Sequence, residues 1–404
     1  MINMPRLQKD LAELSEIGRM PTGGISRPAF SPEEIEARKW FIDKLRKAEL
    51  CPSVDPAGNI TGKLEGKGPV VICGSHLDSI ENGGMFDGAV GVVAGMECLR
   101  VIKENNMKHT HPIEVISFTD EEERFLGFLG SLALTGKLGS KQAFEIMDCR
   151  GIYLKDAMAA AGLDVKNISG AARGPGRIKA FVELHIEQGP VLESLGCSVG
   201  IVEVIMGNYR YGVNIRGRQD HAGFPLKGRK DPMKAALNIM NEMWEEANRM
   251  GKDKTLVTIG CVEVKPGLGN VIPGRVYFNV DFRDHRKQVL EEVGKMLNDK
   301  SQSFSQQLGV DPTISTLLKA EPLFTPSSVL GAAEKAAGKL KVRWHRMSSG
   351  AGHDAQVMGT RVPAGLIFVP SVNGRSHCPQ EKTRWEDIQD GANVLLEMLL
   401  DLSK

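Results

Sequence analysis

Short, unbroken apolar runs alternate with longer amphipathic stretches through the first half of the chain. PVVICGS (from Pro69), PIEVISFTD (from Pro112) and KAFVELHIE (from Lys179) are rich in β-branched residues and too short for helices. They read as buried strands. Between the first two lies AVGVVAGMECLRVIKEN, whose apolar spacing fits a helix with a Gly-rich first turn. SPEEIEARKWFIDKLRKAEL, from Ser31, opens with Ser, Pro and two acids. A Ser side chain can accept from the free N–H groups of a first turn, Pro sacrifices no bond there, and acids favour the positive helix end. Strands separated by helical crossovers predict a doubly wound α/β layer.

The pattern changes near Gly207. YGVNIRGR, DPMKAALNIMNEMWEEANRM, TLVTIGCVEV, RVYFNVDFR, a helix from about Lys287 to Gln307 and PTISTLLK follow in the order βαββαβ. That order is the split ferredoxin-like motif. After Glu321, VLGAAEKAAGKL, PAGLIFVP and WEDIQDGANVLLEMLLDL return to the earlier alternation. The simplest organisation is one α/β domain built from residues 1–206 and 321–404, interrupted by an inserted βαββαβ domain at 207–320.

Composition narrows the classes. The 404 residues are 41% hydrophobic and 25% charged, with 51 Lys plus Arg against 50 Asp plus Glu, so the net charge is +1. This is the balance of a globular protein, and it lacks the field that nucleic-acid or anionic-membrane binding needs. No apolar run reaches the roughly 18 residues of a membrane span. The opening MINMPRLQKDLAEL has no basic head followed by an apolar stretch, unlike a secretory signal. Seven scattered Cys fit reduced thiols, so a cytoplasmic location is expected.

Ionisable residues gather at strand ends and in Gly-rich loops, where α/β folds place their sites. His76 and Asp78 follow PVVICGS, Asp87 sits in NGGMFDGAVG, and Glu121 and Glu122 follow PIEVISFTD. His185 lies in FVELHIEQG and His377 in NGRSHCPQE. Three imidazoles and two carboxylates would suit borderline divalent metals, and a pair of such ions could activate water against a carbonyl. Taken singly, each has an ordinary structural role open to it; DEEER, for instance, could be a solvated helix start. GAVGVVAG lacks the G-x-G-x-x-G order of a dinucleotide loop, and no paired C-x-x-C occurs. A two-metal hydrolase is therefore one reading that spacing permits.

GSHLDSIENGGMFDGAVGVVAG, FTDEEERFLGFLGS, FVELHIEQGPVLE, DHAG, SGAGHDAQ and NGRSHCPQEKT together resemble the hydantoinase/carbamoylase-type amidohydrolases. These are a branch of the aminoacylase and carboxypeptidase group of two-metal peptidases. The resemblance implies a two-metal exopeptidase-like α/β catalytic domain carrying a lid and dimerisation domain. It implies two divalent ions, Zn²⁺ first, with Mn²⁺, Co²⁺ or Ni²⁺ also compatible. His76 and His185 would hold one ion, Glu122 and His377 the other, and Asp87 would bridge. Asp78 would orient His76, and Glu121 would be the general base. His221 would stabilise the oxyanion, commonly from a partner subunit. Asn270 and Arg283 would grip the substrate carboxylate, and Gln188 would make a polar contact beside the metals.

The chain departs from the family in three places. DEEERF is one residue shorter than the usual DEEGSRF, which leaves Glu122 and Glu123 as an alternative base and ligand pair. HAGFPLKG is also shortened relative to HAGTTPM. Tyr209 replaces an Arg that contacts the ureido acid in allantoate-hydrolysing relatives. The implied activity is hydrolysis of an N-carbamoyl-L-amino acid, a small ureido acid, by a homodimer. Allantoate is the next substrate, followed by β-ureidopropionate and then peptides or acyl-amino acids. A catalytically silent metal-binding relative is the rival class, although all six metal and base positions are filled.

Overall fold

The structure, a computed structural model, describes residues 1–251 and 255–404. Two compact units form, one from Met1–Glu203 with Phe324–Lys404 and one from Val204–Leu323. The larger unit is built on a nine-stranded sheet. At its centre run four parallel strands in the spatial order Ile113–Phe118, Val70–His76, Ile178–Ile186 and Ala364–Val369. Ile60–Leu64 and Val199–Ile205 flank them antiparallel. Every residue of Val70–His76, Ile113–Phe118 and Ala364–Val369 is buried. That explains their unbroken apolar runs, since a parallel strand covered on both faces has no solvent side to alternate with.

The helix Ala89–Glu104 lies against this sheet and is buried along nearly its whole length. Gly91 approaches the Leu184 carbonyl so closely that a Cβ would overlap it, and Gly95 abuts Val115 and Cys73. The glycine spacing of GAVGVVAG thus serves close helix–sheet packing. The helix Pro32–Lys47 starts as its sequence implies. Ser31 Oγ accepts from the Glu34 N–H at 3.2 Å, and the Glu34 carboxylate reaches back to the Phe30 N–H at 2.9 Å.

The smaller unit has the βαββαβ order with strands arranged 4-1-3-2 and all antiparallel. Asp311–Ala320 pairs with Gly207–Arg216, which pairs with Arg275–Asp284. TLVTIGCVEV, expected as one strand, is two. Leu256–Thr258 and Val262–Lys265 both pair with Arg275–Asp284. Asn279 Oδ1 accepts from the N–H groups of Gly260 and Cys261 at 3.1 and 3.0 Å, which takes those groups out of the ladder. Helices Pro232–Gly251 and Lys287–Leu308 bury Ile239, Met243, Leu290 and Val293 with Val213 and Phe278 of the sheet. Among the described residues no helix is long and apolar enough to cross a membrane.

Candidate metal centre

The four central strands run parallel, so their C-terminal ends emerge on one edge of the sheet. His76 ends Val70–His76, Glu121 and Glu122 lie just beyond Ile113–Phe118, and His185 is the penultimate residue of Ile178–Ile186. His377 lies in the loop after Ala364–Val369, and Asp87 stands two residues before the helix Ala89–Glu104. The fold therefore gathers side chains that lie up to three hundred positions apart.

Asp87 is the meeting point. Its Oδ1 lies 3.1 Å from His185 Nε2 and 3.6 Å from His76 Nε2, and its Oδ2 lies 3.2 Å from His377 Nε2. Glu122 Oε1 is 3.3 Å from the same His377 nitrogen, and Glu121 Oε2 is 3.5 Å from His76 Nε2. His76, Asp87 and His185 form one group whose ligand atoms all lie within 4.8 Å of one another, Asp87, Glu122 and His377 form a second, and His76, Glu121 and Glu122 form a third. Glu123 is exposed and belongs to no such group among the described residues. Glu183 and His353 also cluster with His185, but both Glu183 oxygens are taken, by Ser75 Oγ at 2.6 Å and the Ala355 N–H at 2.9 Å.

The imidazoles are preset for a cation. His76 Nδ1 faces the Asp78 carbonyl at 2.9 Å and His185 Nδ1 faces the Ile186 carbonyl at 3.0 Å. A carbonyl can only accept, so each Nδ1 must carry the hydrogen, and each Nε2 is left with its lone pair beside Asp87, that of His185 accepting the Gly88 N–H at 3.2 Å. Lone pairs aimed at a buried carboxylate need positive charge between them, and this donor set of imidazoles and carboxylates suits a divalent metal.

Without an ion, that charge is supplied by protons. Burial pushes the His185 imidazolium down, but Asp87 and Glu183 outweigh it and carry the pKa up to about 9. Hydrogen bonds to Asp87 and Glu122 raise His377 to about 11. Burial opposes ionisation of Asp87, yet the surrounding imidazoles hold it well below the usual carboxylate range. Burial, then the charges of Glu122, Asp354, Asp78 and Asp87, push Glu121 well up. At pH 7 the metal-free protein thus carries protonated His185 and His377, and capture of a cation is expected to expel protons. Calorimetric titration in two buffers of different ionisation enthalpy measures this, and a heat identical in both would contradict it. The same shifts make the protonated imidazoles stabilise the metal-free fold fully below pH 6.5, with the contribution lost as pH rises through 9 and on to 11.

Two roles differ from expectation. It is the backbone carbonyl of Asp78 that orients His76. The Asp78 carboxylate stands 3.9 Å from that ring nitrogen, and its Oδ2 accepts the Glu122 N–H at 3.1 Å, so it sets the Glu122 backbone instead. Tyr209 is no surface contact. Its ring is buried in the smaller unit's core and its hydroxyl donates to Glu321 at 2.9 Å. A phenol replacing a guanidinium can enter an apolar core, and here it has done so.

Gln188 donates to Asp87 Oδ2 at 2.8 Å and lies 3.3 Å from His377 Nε2. In the smaller unit, His221 is exposed and pairs with Val271 in a two-stranded ribbon, which sets it beside Asn270. Arg283 is partly buried and donates to Asp281 at 2.9 Å. Three residues near the ligands went unassigned in the sequence. Arg27 is fully buried and donates to the Leu77 carbonyl at 3.0 Å, clamping the turn after His76. Ser376 and Glu381 surround Asp87; their signal was proximity to His377 in NGRSHCPQE.

Residues 73–401 match peptidase family M20/M25/M40, and the chain belongs to that family. Within it, the chain is 42% identical over 410 residues to an N-carbamoyl-L-amino acid amidohydrolase of Geobacillus stearothermophilus, with 100% of both chains covered. It is 35% identical to the allantoate amidohydrolase of Escherichia coli K12, over 98% of this chain and 97% of that one. The crystal structure of an amidase of the hydantoinase/carbamoylase family from Burkholderia vietnamiensis matches with a TM-score of 0.89 and 31% identity, covering 100% of this chain and 98% of that one.

Proposed function

We propose that the protein hydrolyses the ureido C–N bond of N-carbamoyl-L-amino acids, giving the amino acid, carbon dioxide and ammonia, as a homodimer holding two divalent ions. One observation carries this. Asp87 is shared between two ligand groups, and Glu121, which itself groups with His76 and Glu122, lies beside them with Oε2 3.5 Å from His76 Nε2. The full-length likeness to a carbamoyl amino acid amidohydrolase supports the substrate class.

His76, His185 and Asp87 would hold one ion and Asp87, Glu122 and His377 the other, with Zn²⁺ the first candidate and Mn²⁺, Co²⁺ or Ni²⁺ compatible. Such ions supply positive charge that acidifies water and polarises the ureido carbonyl. Glu121 takes a proton from the attacking water and delivers it to the leaving nitrogen; its raised proton affinity in a buried, acid-rich setting suits that exchange. Gln188 holds Asp87 in place. We assign His221 to the developing oxyanion and Asn270 and Arg283 to the substrate carboxylate, a guanidinium fork being matched to that planar anion.

Rates of metal-reconstituted enzyme on N-carbamoyl-L-methionine, allantoate and N-carbamoyl-β-alanine test this. The first is expected to be hydrolysed fastest. The 35% identity to an allantoate amidohydrolase makes allantoate the alternative, and preference for it would overturn the substrate assignment. Background rates on all three with Zn²⁺, Mn²⁺ and Co²⁺ would overturn the activity itself.

A further inference from the structure

A carboxylate that bridges two cations must present both oxygens in fixed directions, and the Asn82–Gly88 loop that carries Asp87 is too glycine-rich to fix itself. Glu381 supplies what the loop lacks. This residue is buried, lies four positions beyond His377, and is brought back by a turn in which its N–H donates to the Cys378 carbonyl at 3.1 Å. Its Oε1 accepts from the N–H groups of Phe86 and Asp87 at 2.8 and 3.1 Å. Its Oε2 lies 2.8 Å from Ser376 Oγ, and that hydroxyl also lies 2.7 Å from Asp87 Oδ2. One acid therefore grips the backbone of Asp87 directly, and Ser376 Oγ, with one hydrogen to give, stands between the two carboxylates and donates to one or the other. Because Ser376 adjoins His377, the same grip ties together two of the three loops that supply the second ligand group.

The loop is shaped to admit this acid. At Gly84 a Cβ would overlap the Glu381 carboxyl group, so only glycine leaves the carboxylate room to enter. We propose that Glu381, acting through Ser376, is the positioning residue that fixes Asp87 against His377 and so builds the second metal site. This rests on the two-ion reading above. Acids of this kind, which touch ligands without binding metal themselves, are worth about 10- to 100-fold in metal affinity.

The test is titration of the metal-free full-length protein with Zn²⁺ against a competing chelator, read as equivalents bound and their affinities. The parent is expected to bind two equivalents. Glu381→Ala is expected to keep the first and to hold the second about 100-fold more weakly. Glu381→Gln, which keeps a carbonyl acceptor for the Phe86 and Asp87 N–H groups, should fall between the two. Gly84→Ala should reproduce the loss, because it displaces the carboxylate while altering no polar side chain. A role confined to loop stability would lower the melting temperature of the metal-free variants and leave their affinities parental. Two equivalents at parental affinity in Glu381→Ala and Ser376→Ala would overturn the proposal, and if the first variant does not fold, Ser376→Ala and Gly84→Ala decide it alone. A parent that binds fewer than two equivalents would instead refute the two-ion reading, and this inference with it.

Discussion

Glu121→Gln is expected to lower kcat on an N-carbamoyl-L-amino acid by about a thousandfold while leaving two metal equivalents bound. Gln matches Glu in size and keeps an acceptor, but it cannot take up and return a proton, and such transfer is worth about 10²- to 10⁴-fold. Glu121 is held in a buried, acid-rich setting that raises its proton affinity, whereas its neighbour Glu122 is aimed at His377. The paired variant Glu122→Gln should behave differently, losing metal first and activity as a consequence. Turnover retained in Glu121→Gln would refute the base assignment. Metal lost from Glu121→Gln and kept by Glu122→Gln would reverse the two roles. Metal content by mass spectrometry alongside steady-state rates separates these outcomes.

Gly88→Ala is expected to be as damaging by a different route. Gly88 has φ of +63° at the start of the helix Ala89–Glu104, and a methyl group there would overlap the imidazole of His76. The ring cannot swing aside without breaking its bond to the Asp78 carbonyl, and the backbone cannot shift without moving Asp87. Ala at φ +63° and ψ −47°, outside the left-handed helical basin, costs on the order of 1–3 kcal/mol, so the fold should survive. Metal affinity is expected to fall by more than about 100-fold, the upper range for disturbing a ligand's support. A folded Gly88→Ala protein that still held two ions at parental affinity would show that His76 is not fixed as described.

The sequence carried the framework unevenly, for physical reasons. Strands buried on both faces, such as Val70–His76 and Ala364–Val369, announce themselves because no solvent face interrupts their apolar runs. Ile60–Leu64 and Val199–Ile205 escaped notice; each contains Gly, and the first also Lys, so their apolar runs are broken. The short helices Leu129–Leu134, Ser140–Glu145 and Leu154–Ala160 were equally invisible, being too brief to show a period. The break at Gly260 and Cys261 depends on a side chain eighteen or more positions away, Asn279, and no local pattern contains it.

The clustered imidazoles and acids were legible for a related reason. Imidazoles and acids at strand ends are chemically conspicuous, and parallel topology brings strand ends together. The supports were not legible. Asp78 lies two residues from His76, so a carboxylate–imidazole bond was the natural expectation, yet the backbone reached the ring first. Glu381 and Arg27 act through backbone groups of residues far along the chain, and such partners leave no trace in spacing.

Central to all of this is the proposal that a pair of divalent ions is held around Asp87. Anomalous diffraction from crystals of metal-loaded protein, collected at the metal's absorption edge, addresses it directly. Two peaks are expected, one among His76, His185 and Asp87 and the other among Asp87, Glu122 and His377. A single peak, or none at these side chains in protein that turns over substrate, would contradict the account.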